Sequence, residues 1–414
     1  MGRLDELKKE YRPDGVEFKP LWSVTIWDKK FNAVDRYKQP IIENYKYLLA
    51  KDLFSLEKPD GDVFLLSTGE QTGWTTERLA GQYLKEGEVV TIPWGKSRAV
   101  TDCIKYYKGK FVTADNRIAT SYNTNILLNK YLYYWMMSEG KVIDSFYRGS
   151  GIKHPDMAKV LDMRIPIPPL EVQREIVRVL DNFTKLTAEL TAELTAELTA
   201  RHKQLQYYFD KILSLSGGKQ YYLEEVCQIV DCPHSSPMWR TSGVPVIRNF
   251  NMIGGTIDMD NLSYVDEEEY RKRIKRIEPK ENDILFSREA PIGNVAIVPR
   301  NFKCCQGQRV VLLRANGNIL DPRYLLYYLQ GDKVREQIKK AEGEGSTVSN
   351  FNIADLKKLK IVIPTLDIQN KMMPKLLAIQ KYLFSVNEGI PAEMAARKKQ
   401  YEYYRNKLLS FGEL

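Results

Sequence analysis

Histidine is almost missing from this chain: His154, His202 and His234 are the only three in 414 residues. A Ser–His–Asp triad or a histidine-based zinc site is hard to assemble from so few. Cysteine is also scarce. Cys103, Cys227, Cys232, Cys304 and Cys305 are an odd number with one adjacent pair, which does not make a disulfide framework. In "CQIVDCPH" two cysteines and a histidine fall close together, but without the C-x-x-C spacing of a zinc knuckle. There is no GxxxxGK[ST] phosphate loop, no Asn-Pro-Pro-Tyr or Asp-Pro-Pro-Tyr motif of an amino-methyltransferase, and no paired carboxylates in a setting for acid–base work. No apolar run reaches the roughly 18 residues of a membrane-spanning helix, and the N-terminus is charged, without a signal core. These absences lead us to expect no catalytic residue, no cofactor and no metal on this chain, no membrane partner, and a reducing cytoplasm as its home.

What is present describes a globular protein. Hydrophobic residues make up 43%, and 414 residues are enough for two or three domains with cores of their own. The net charge of +9 is a modest excess that permits an acidic or nucleic-acid partner without requiring one.

The chain says the same thing twice. "RIPIPPLEVQ" (164–173) returns 196 residues later as "KIVIPTLDIQ" (360–369), and "RHKQLQYYFDKILSL" (201–215) returns at the same offset as "RKKQYEYYRNKLLSF" (397–411). Upstream, "KYLYYWM" (130–136) echoes "RYLLYYL" (323–329), and a glycine-rich loop follows each. Each half is therefore a variable domain of about 140 residues followed by a helical segment. In the variable domains "DVFLLST", "EVVTIPW", "KFVTADN", "VPVIRNF", "DILFSRE", "NVAIVP" and "QRVVLLR" predict strands, and the Tyr/Leu-rich segments predict a late helix in each.

The segments after Pro169 and Pro364 predict long helices. The first contains three back-to-back copies of Thr-Ala-Glu-Leu, with Leu186, Leu190, Leu194 and Leu198 one turn apart. Four residues rotate about 400°, so this leucine ridge drifts and makes a poor long coiled-coil seam. What such a repeat sets well is length, about 6 Å per copy. Wholly helical, residues 170–216 would reach about 70 Å. In the second segment Gly389 and Pro391 predict a break or kink.

Polar and basic residues in the loops of the variable domains are the candidate contacts. "EEEYRKRIKRIEP" concentrates Arg271, Arg273 and their neighbours, a run that equally suits a solvated helix face. Arg248 ends one strand, Arg288 ends another beside a turn, and Gln306, Gln308 and Arg309 flank a glycine. Arg and Gln can form paired hydrogen bonds with guanine and adenine edges in the major groove. The first-half counterparts are Lys96, Arg98 and Arg117. Taken alone, each is more often a surface residue than a base reader. The loops "GSGIKH" and "GEGSTVSN" offer backbone amides with Lys153, His154, Ser346 and Thr347, chemistry suited to phosphate.

With these motifs assembled in this order, and duplicated, the chain resembles the specificity subunit of type I restriction–modification systems. The most specific marks are "GVEFKPL", "DILFSREAPIGNVAIVP", "QGQRVVLLR", "LDPRYLLYYL", the two "IP…Q" helix starts and "RKKQYEYYRNKLLSF". The resemblance implies an α+β fold. Two α/β target-recognition domains (1–159 and 217–355) would be joined by two long helical segments (160–216 and 356–414) that form an antiparallel, coiled-coil-like spacer. It implies a non-catalytic subunit that reads a bipartite, asymmetric site on double-stranded DNA in a bacterial or archaeal cytoplasm. It also implies two methyltransferase subunits and two restriction/translocase subunits as partners, with S-adenosylmethionine, ATP and Mg on those partners. A DNA-independent coiled-coil scaffold is the alternative reading.

Overall fold

The computed structural model describes residues 15–69, 72–215, 217–289, 291–342 and 351–413. They fold as two compact units. One takes the chain up to Ala192 and then residues from Met394 onward; the other is Glu193–Glu393. Each unit thus takes part of each long helix, one of Leu170–Leu215 and the other of Leu366–Leu409.

The first unit is built on a six-stranded mixed sheet. Its strands are β1 (Thr25–Trp27), β2 (Val63–Leu66), β3 (Gly73–Thr75), β4 (Lys85–Pro93), β5 (Lys105–Thr113) and β6 (Asn116–Ser121), in the order β1-β6-β4-β5-β2-β3. Only β2 and β5 run parallel. The end of β4, Val89–Pro93, is buried at every residue because the sheet is covered on both faces there. One cover is α1 (Asn129–Ser138), the late helix predicted from "KYLYYWM"; it buries Tyr131, Leu132, Tyr134, Trp135 and Met136. These pack in one core with Val90 and Ile92 of the sheet, Val172, Ile176 and Leu180 of the central helix, and Leu408 and Leu409 of the distal helix. Each such side chain contributes about 1.5–3 kcal/mol by leaving water. The two long helices are antiparallel in this unit: Phe183 stacks on Tyr404 at 6.0 Å, Thr184 Oγ1 lies 3.1 Å from the Tyr401 hydroxyl, and Leu180 shares its core with Leu408.

The second unit carries two smaller sheets. Strands β7 (Cys227–Val230), β10 (Ile284–Ser287), β11 (Val295–Ile297) and β13 (Val310–Ala315) form an antiparallel sheet ordered β7-β13-β10-β11; β8 (Val244–Ile247), β9 (Ser263–Val265) and β12 (Cys305–Gln306) form the second, ordered β9-β8-β12. Helix α2 (Glu267–Arg273) starts at Asp266, whose side chain accepts from the Glu269 amide. Helix α3 (Pro322–Gln330) is the counterpart of α1, and α4 (Asp332–Glu342) follows it. Here too the long helices run antiparallel: Arg201 donates to the Tyr382 hydroxyl, while Phe209 and Leu213 share a core with Met372, Met373 and Leu376.

The duplicated "IP…Q" words have a structural cause. Gln173 and Gln369 are each fully buried one turn inside a long helix. Gln173 accepts from the Leu128 amide at 2.9 Å and donates to the Ile126 and Pro168 carbonyls at 2.7 and 2.8 Å. Gln369 accepts from the Asp321 amide at 2.8 Å and donates to the Ile319 and Pro364 carbonyls, both at 2.8 Å. One side chain thus satisfies three backbone groups, one buried and two partly buried, where a long helix leaves its domain.

The tetrad array lies within one unbroken helix of 46 residues, Leu170–Leu215. Its threonines are accommodated by bonding back one turn, Thr191 Oγ1 to the Thr187 carbonyl at 2.7 Å and Thr199 Oγ1 to the Thr195 carbonyl at 2.9 Å. Leu190, Leu194 and Leu198 are half-buried, whereas Leu186 is 61% exposed, as a drifting ridge requires. Of the break or kink predicted at Gly389 and Pro391, the break is absent. The distal helix runs through both, and through Pro374, as 44 continuous residues. A proline removes one backbone bond and is relieved by local bending, so the long helix on either side outweighs it. Among the described residues no helix is long and apolar enough to cross a membrane.

Candidate nucleic-acid interface

In the first unit the structure joins two loops that are distant in sequence. Lys96 and Lys153 exchange backbone hydrogen bonds, both at 3.1 Å, so "PWGKSRAV" and "GSGIKH" form one surface. The approach is close enough that a Cβ at Gly95 would come 2.7 Å from Ile152 Cγ2. Trp94 organises the site. The Arg117 guanidinium lies 3.8 Å over its ring, the His154 ring sits 4.7 Å away, and His154 Nδ1 is 2.9 Å from the Trp94 carbonyl oxygen.

The candidates in this cluster face different ways. Arg98, Lys153 and His154 are exposed. Lys96 is buried; its ammonium pairs with Asp144 at 2.6 Å and donates to the Arg98 carbonyl at 3.0 Å. Partial burial works to raise the Asp144 carboxyl, but the hydrogen bonds from Lys96 and the Val100 amide outweigh it and hold the group below its ordinary value. Arg117 is buried as well, paired with Asp115 at 2.8 Å. As placed, Lys96 and Arg117 shape the loops and do not present their donors outward.

In the second unit the candidates converge on the loop that follows β7, residues 231–239. Arg288 donates to both oxygens of Asp231, at 2.9 and 3.0 Å, and to the Phe351 carbonyl at 3.0 Å. Arg273 is buried, paired with Glu269 at 3.3 Å, and reaches the Ser235 and Gln306 carbonyls. Gln306 is buried and donates to the Val230 and Val310 carbonyls. Gln308, half-exposed, donates to the His234 carbonyl at 3.1 Å and the Ser236 hydroxyl at 3.2 Å. Arg309 adopts a left-handed φ of 70°, with its amide on Cys232 Sγ at 3.1 Å and its side chain on Glu289 at 2.8 Å. Such a backbone costs a bulky residue about 1–2 kcal/mol and persists where its neighbours fix it. Arg271 is exposed on α2, 3.9 Å from Glu267. Ser346 and Thr347 lie outside the described residues.

Sequence reasoning missed the aromatic part of this surface. The Arg248 guanidinium lies over both Trp239 and Phe250, 5.3 and 4.5 Å from the ring centres, and the two rings are 44% and 43% exposed. It also missed Asp231, which organises the loop through Arg288 and lies 3.2 Å from His234 Nε2. A tryptophan in the polar stretch "SSPMWRTSG" was a usable signal, since nothing local requires one there. All five cysteines are buried and outside any disulfide, and burial pushes the thiols of Cys227, Cys304 and Cys305 up to about 12. Among the described residues no group of three His, Cys, Asp or Glu side chains could hold a metal ion.

Comparison with known proteins agrees with this architecture. The family described as the type I restriction modification DNA specificity domain matches twice, at residues 32–200 and 217–396. A putative type I restriction enzyme specificity subunit of Haemophilus influenzae is 30% identical over 346 residues, 80% of this chain and 84% of that protein. The EcoR124I/EcoR124II specificity subunit of Escherichia coli is 29% identical over 311 residues, 71% of this chain and 74% of that one. A chain in a solved structure on complex assembly and conformational transition of the type I R-M system shares the fold, with a TM-score of 0.67 at 18% identity over 97% of this chain and 99% of its own.

Proposed function

The chain belongs to the family of type I restriction–modification specificity subunits, and we propose that it is the non-catalytic subunit that reads a bipartite, asymmetric site on double-stranded DNA for partner enzymes. The observation that carries this reading is the duplication. Two domains each present a polar, aromatic-backed loop cluster, and each is fastened to a long helix by the same buried glutamine. One half-site would be read by each domain. Arg98, Lys153 and His154 would touch DNA from the first, and Arg248, Arg271, Gln308 and Arg309 from the second. Lys96, Arg117, Arg273, Arg288 and Gln306 would hold those loops in shape.

Two methyltransferase subunits and two restriction/translocase subunits would join the chain in a bacterial or archaeal cytoplasm. S-adenosylmethionine, ATP and Mg would be bound by those partners, since the chain offers no motif for them. The tetrad array would set the gap between the half-sites. Each copy adds about 6 Å of helix against about 3.4 Å per base pair, so one copy corresponds to one or two base pairs of unread spacing.

The test is a methylome map of the host with and without this gene. Loss of one two-part methylation motif is the expected result. An unchanged methylome in cells that express the methyltransferase subunit would instead favour the DNA-independent scaffold.

A further inference from the structure

In the second unit a short hairpin stands directly after the Arg248 cluster. Met252–Ile253 pairs with Thr256–Ile257 around Gly254 and Gly255, whose φ values of 57° and 88° are both left-handed. Side chains alternate across such a hairpin. Met252 and Ile257 are buried in one core with Ile247 and Ala296, which fixes its base. Ile253 and Thr256 are exposed and border a cleft of 730 Å³. Gly254 borders that cleft and also a second one, of 450 Å³, on the Met252 side. The tip therefore has space on both sides and little packing to hold it.

Gln380 of the distal helix reaches this tip. Its Nε2 donates to the Gly254 carbonyl at 2.6 Å, and its Oε1 accepts from the Tyr327 hydroxyl at 2.8 Å. The duplication separates the two bonds. At the 196-residue offset Gln380 stands opposite Thr184, and Tyr327 of α3 corresponds to Tyr134 of α1. Thr184 Oγ1 lies 3.4 Å from the Tyr134 hydroxyl. The tyrosine contact thus belongs to both halves and ties a late helix to a long helix. The longer Gln380 adds the donation to a loop of its own domain.

What happens at the tip is passed to the Arg248 cluster. Asn251, fully buried, accepts from the Arg248 amide at 3.0 Å and donates to the Asn261 carbonyl at 2.9 Å, while its own amide donates to the Arg248 carbonyl at 3.0 Å. Arg248 to Asn251 is therefore one locked turn, joined to the hairpin at Met252.

We propose that Gln380 is a positioning residue for sequence readout: its bond to the Gly254 carbonyl sets the hairpin and, through the Arg248–Asn251 turn, the placement of the Arg248 guanidinium on the second half-site. The proposal rests on the reading that the second domain contacts DNA through Arg248. A base-reading side chain discriminates when it is held to within about 0.5 Å, and a tip with space on both sides needs a tie to supply that. The tie comes from the distal helix, which then contributes to which bases are accepted.

The experiment uses the full chain with its methyltransferase subunit and duplexes carrying the site given by the methylome map. Discrimination is the ratio of affinities for that duplex and for duplexes changed at one base pair. Arg248→Ala identifies the second half-site. Gln380→Glu keeps an acceptor for Tyr327 and loses the donor; Gln380→Met loses both at similar volume; Tyr327→Phe removes the tyrosine bond alone. Both Gln380 variants should lose about three- to tenfold of discrimination at the second half-site, with binding to unrelated DNA unchanged within about twofold. The first half-site should be read as before. Tyr327→Phe should discriminate like the wild type even where it lowers the unfolding temperature. Wild-type discrimination in Gln380→Glu would overturn the proposal. So would an equal loss in Tyr327→Phe, which would make the effect one of packing, or a loss spread over all sequences. If the wild type prefers no duplex, or Arg248→Ala relaxes neither half-site, the reading of Arg248 as a DNA contact falls, and the role of Gln380 falls with it.

Discussion

Gln173 accepts the Leu128 amide proton at 2.9 Å, and this bond fixes the start of the central helix to the loop that leads into α1. Because Gln173 is fully buried and makes three such bonds, its loss leaves the buried Pro168 carbonyl and the partly buried Leu128 amide and Ile126 carbonyl without their partner. Gln173→Ala is expected to destabilise the first unit by about 3 kcal/mol, and Gln369→Ala the second by a similar amount. Calorimetry should show one transition lowered in each variant. A loss under about 0.5 kcal/mol would mean that water replaces the amide.

Arg288 is the residue whose expected behaviour the structure changes most. Its two bonds to Asp231 hold the 231–239 loop, so Arg288→Ala leaves a carboxylate that is 21% exposed without its paired guanidinium. We expect a destabilisation of about 2 kcal/mol and weaker binding to every DNA sequence alike. Arg288→Lys should recover little, because an ammonium cannot form the paired contact. Competition binding against single-base variants of the site checks this. Relaxed preference at one base pair with unchanged stability would make Arg288 a base reader.

The guanidinium of half-buried Arg248 lies over the exposed rings of Trp239 and Phe250, and these contacts limit how far it can move. Arg248→Ala should cost about 1–3 kcal/mol of binding and relax only the second half-site. Trp239→Ala should have a smaller effect in the same direction, since it frees Arg248 without removing it. Methylation patterns of the two variants, mapped in one host, decide this; altered bases in the first half-site would contradict it.

Asp28 supplies a pH dependence. Burial pushes its carboxyl up from 3.8 to about 6, against the Ile118 amide, Lys29 and Arg117, which work to lower it. Between about pH 3.8 and 6 the folded chain therefore holds a proton there that the unfolded chain has released. That stabilisation is complete below about 3.8 and is lost as pH rises through about 6, a change of about 3 kcal/mol. Asp28→Asn removes the titration, so stability relative to wild type should shift in the variant's favour between pH 4 and 7. Denaturant midpoints across that range measure it. A difference that stays constant with pH would show that Asp28 ionises normally.

Deleting Thr191–Leu194 removes about 6 Å and about 40° of helix. Leu190 then neighbours Leu198 through the same one-turn contact, so folding should survive. Both half-site sequences should stay as they are and the gap between them should shorten by one or two base pairs, with DNA bending or twist absorbing the remainder. Methylated sites mapped for wild type and deletion give the answer; an unchanged gap would make the array a passive helix.

The sequence by itself determined the duplication, the strands β2, β4, β5, β8, β10, β11 and β13, the late helix of each domain and the two long helices. Each of these is written in local periodicity or in words repeated at a fixed offset, such as Gln173 and Gln369. The tertiary structure decided which way side chains face. Lys96, Arg117, Arg273 and Gln306 have the same composition-level signature as exposed contacts, yet each is buried because an acidic residue or a free carbonyl meets it from a distant segment: Asp144 for Lys96, the Ser235 carbonyl for Arg273, the Val230 carbonyl for Gln306. Arg117 differs only in that its carboxylate, Asp115, is near in sequence, while Trp94 covers it from another strand end. A cation's partner is a three-dimensional neighbour, and no spacing along the chain encodes it. The same holds for Pro391, where helix on both sides of the residue overrode a local rule that reads only the residue itself.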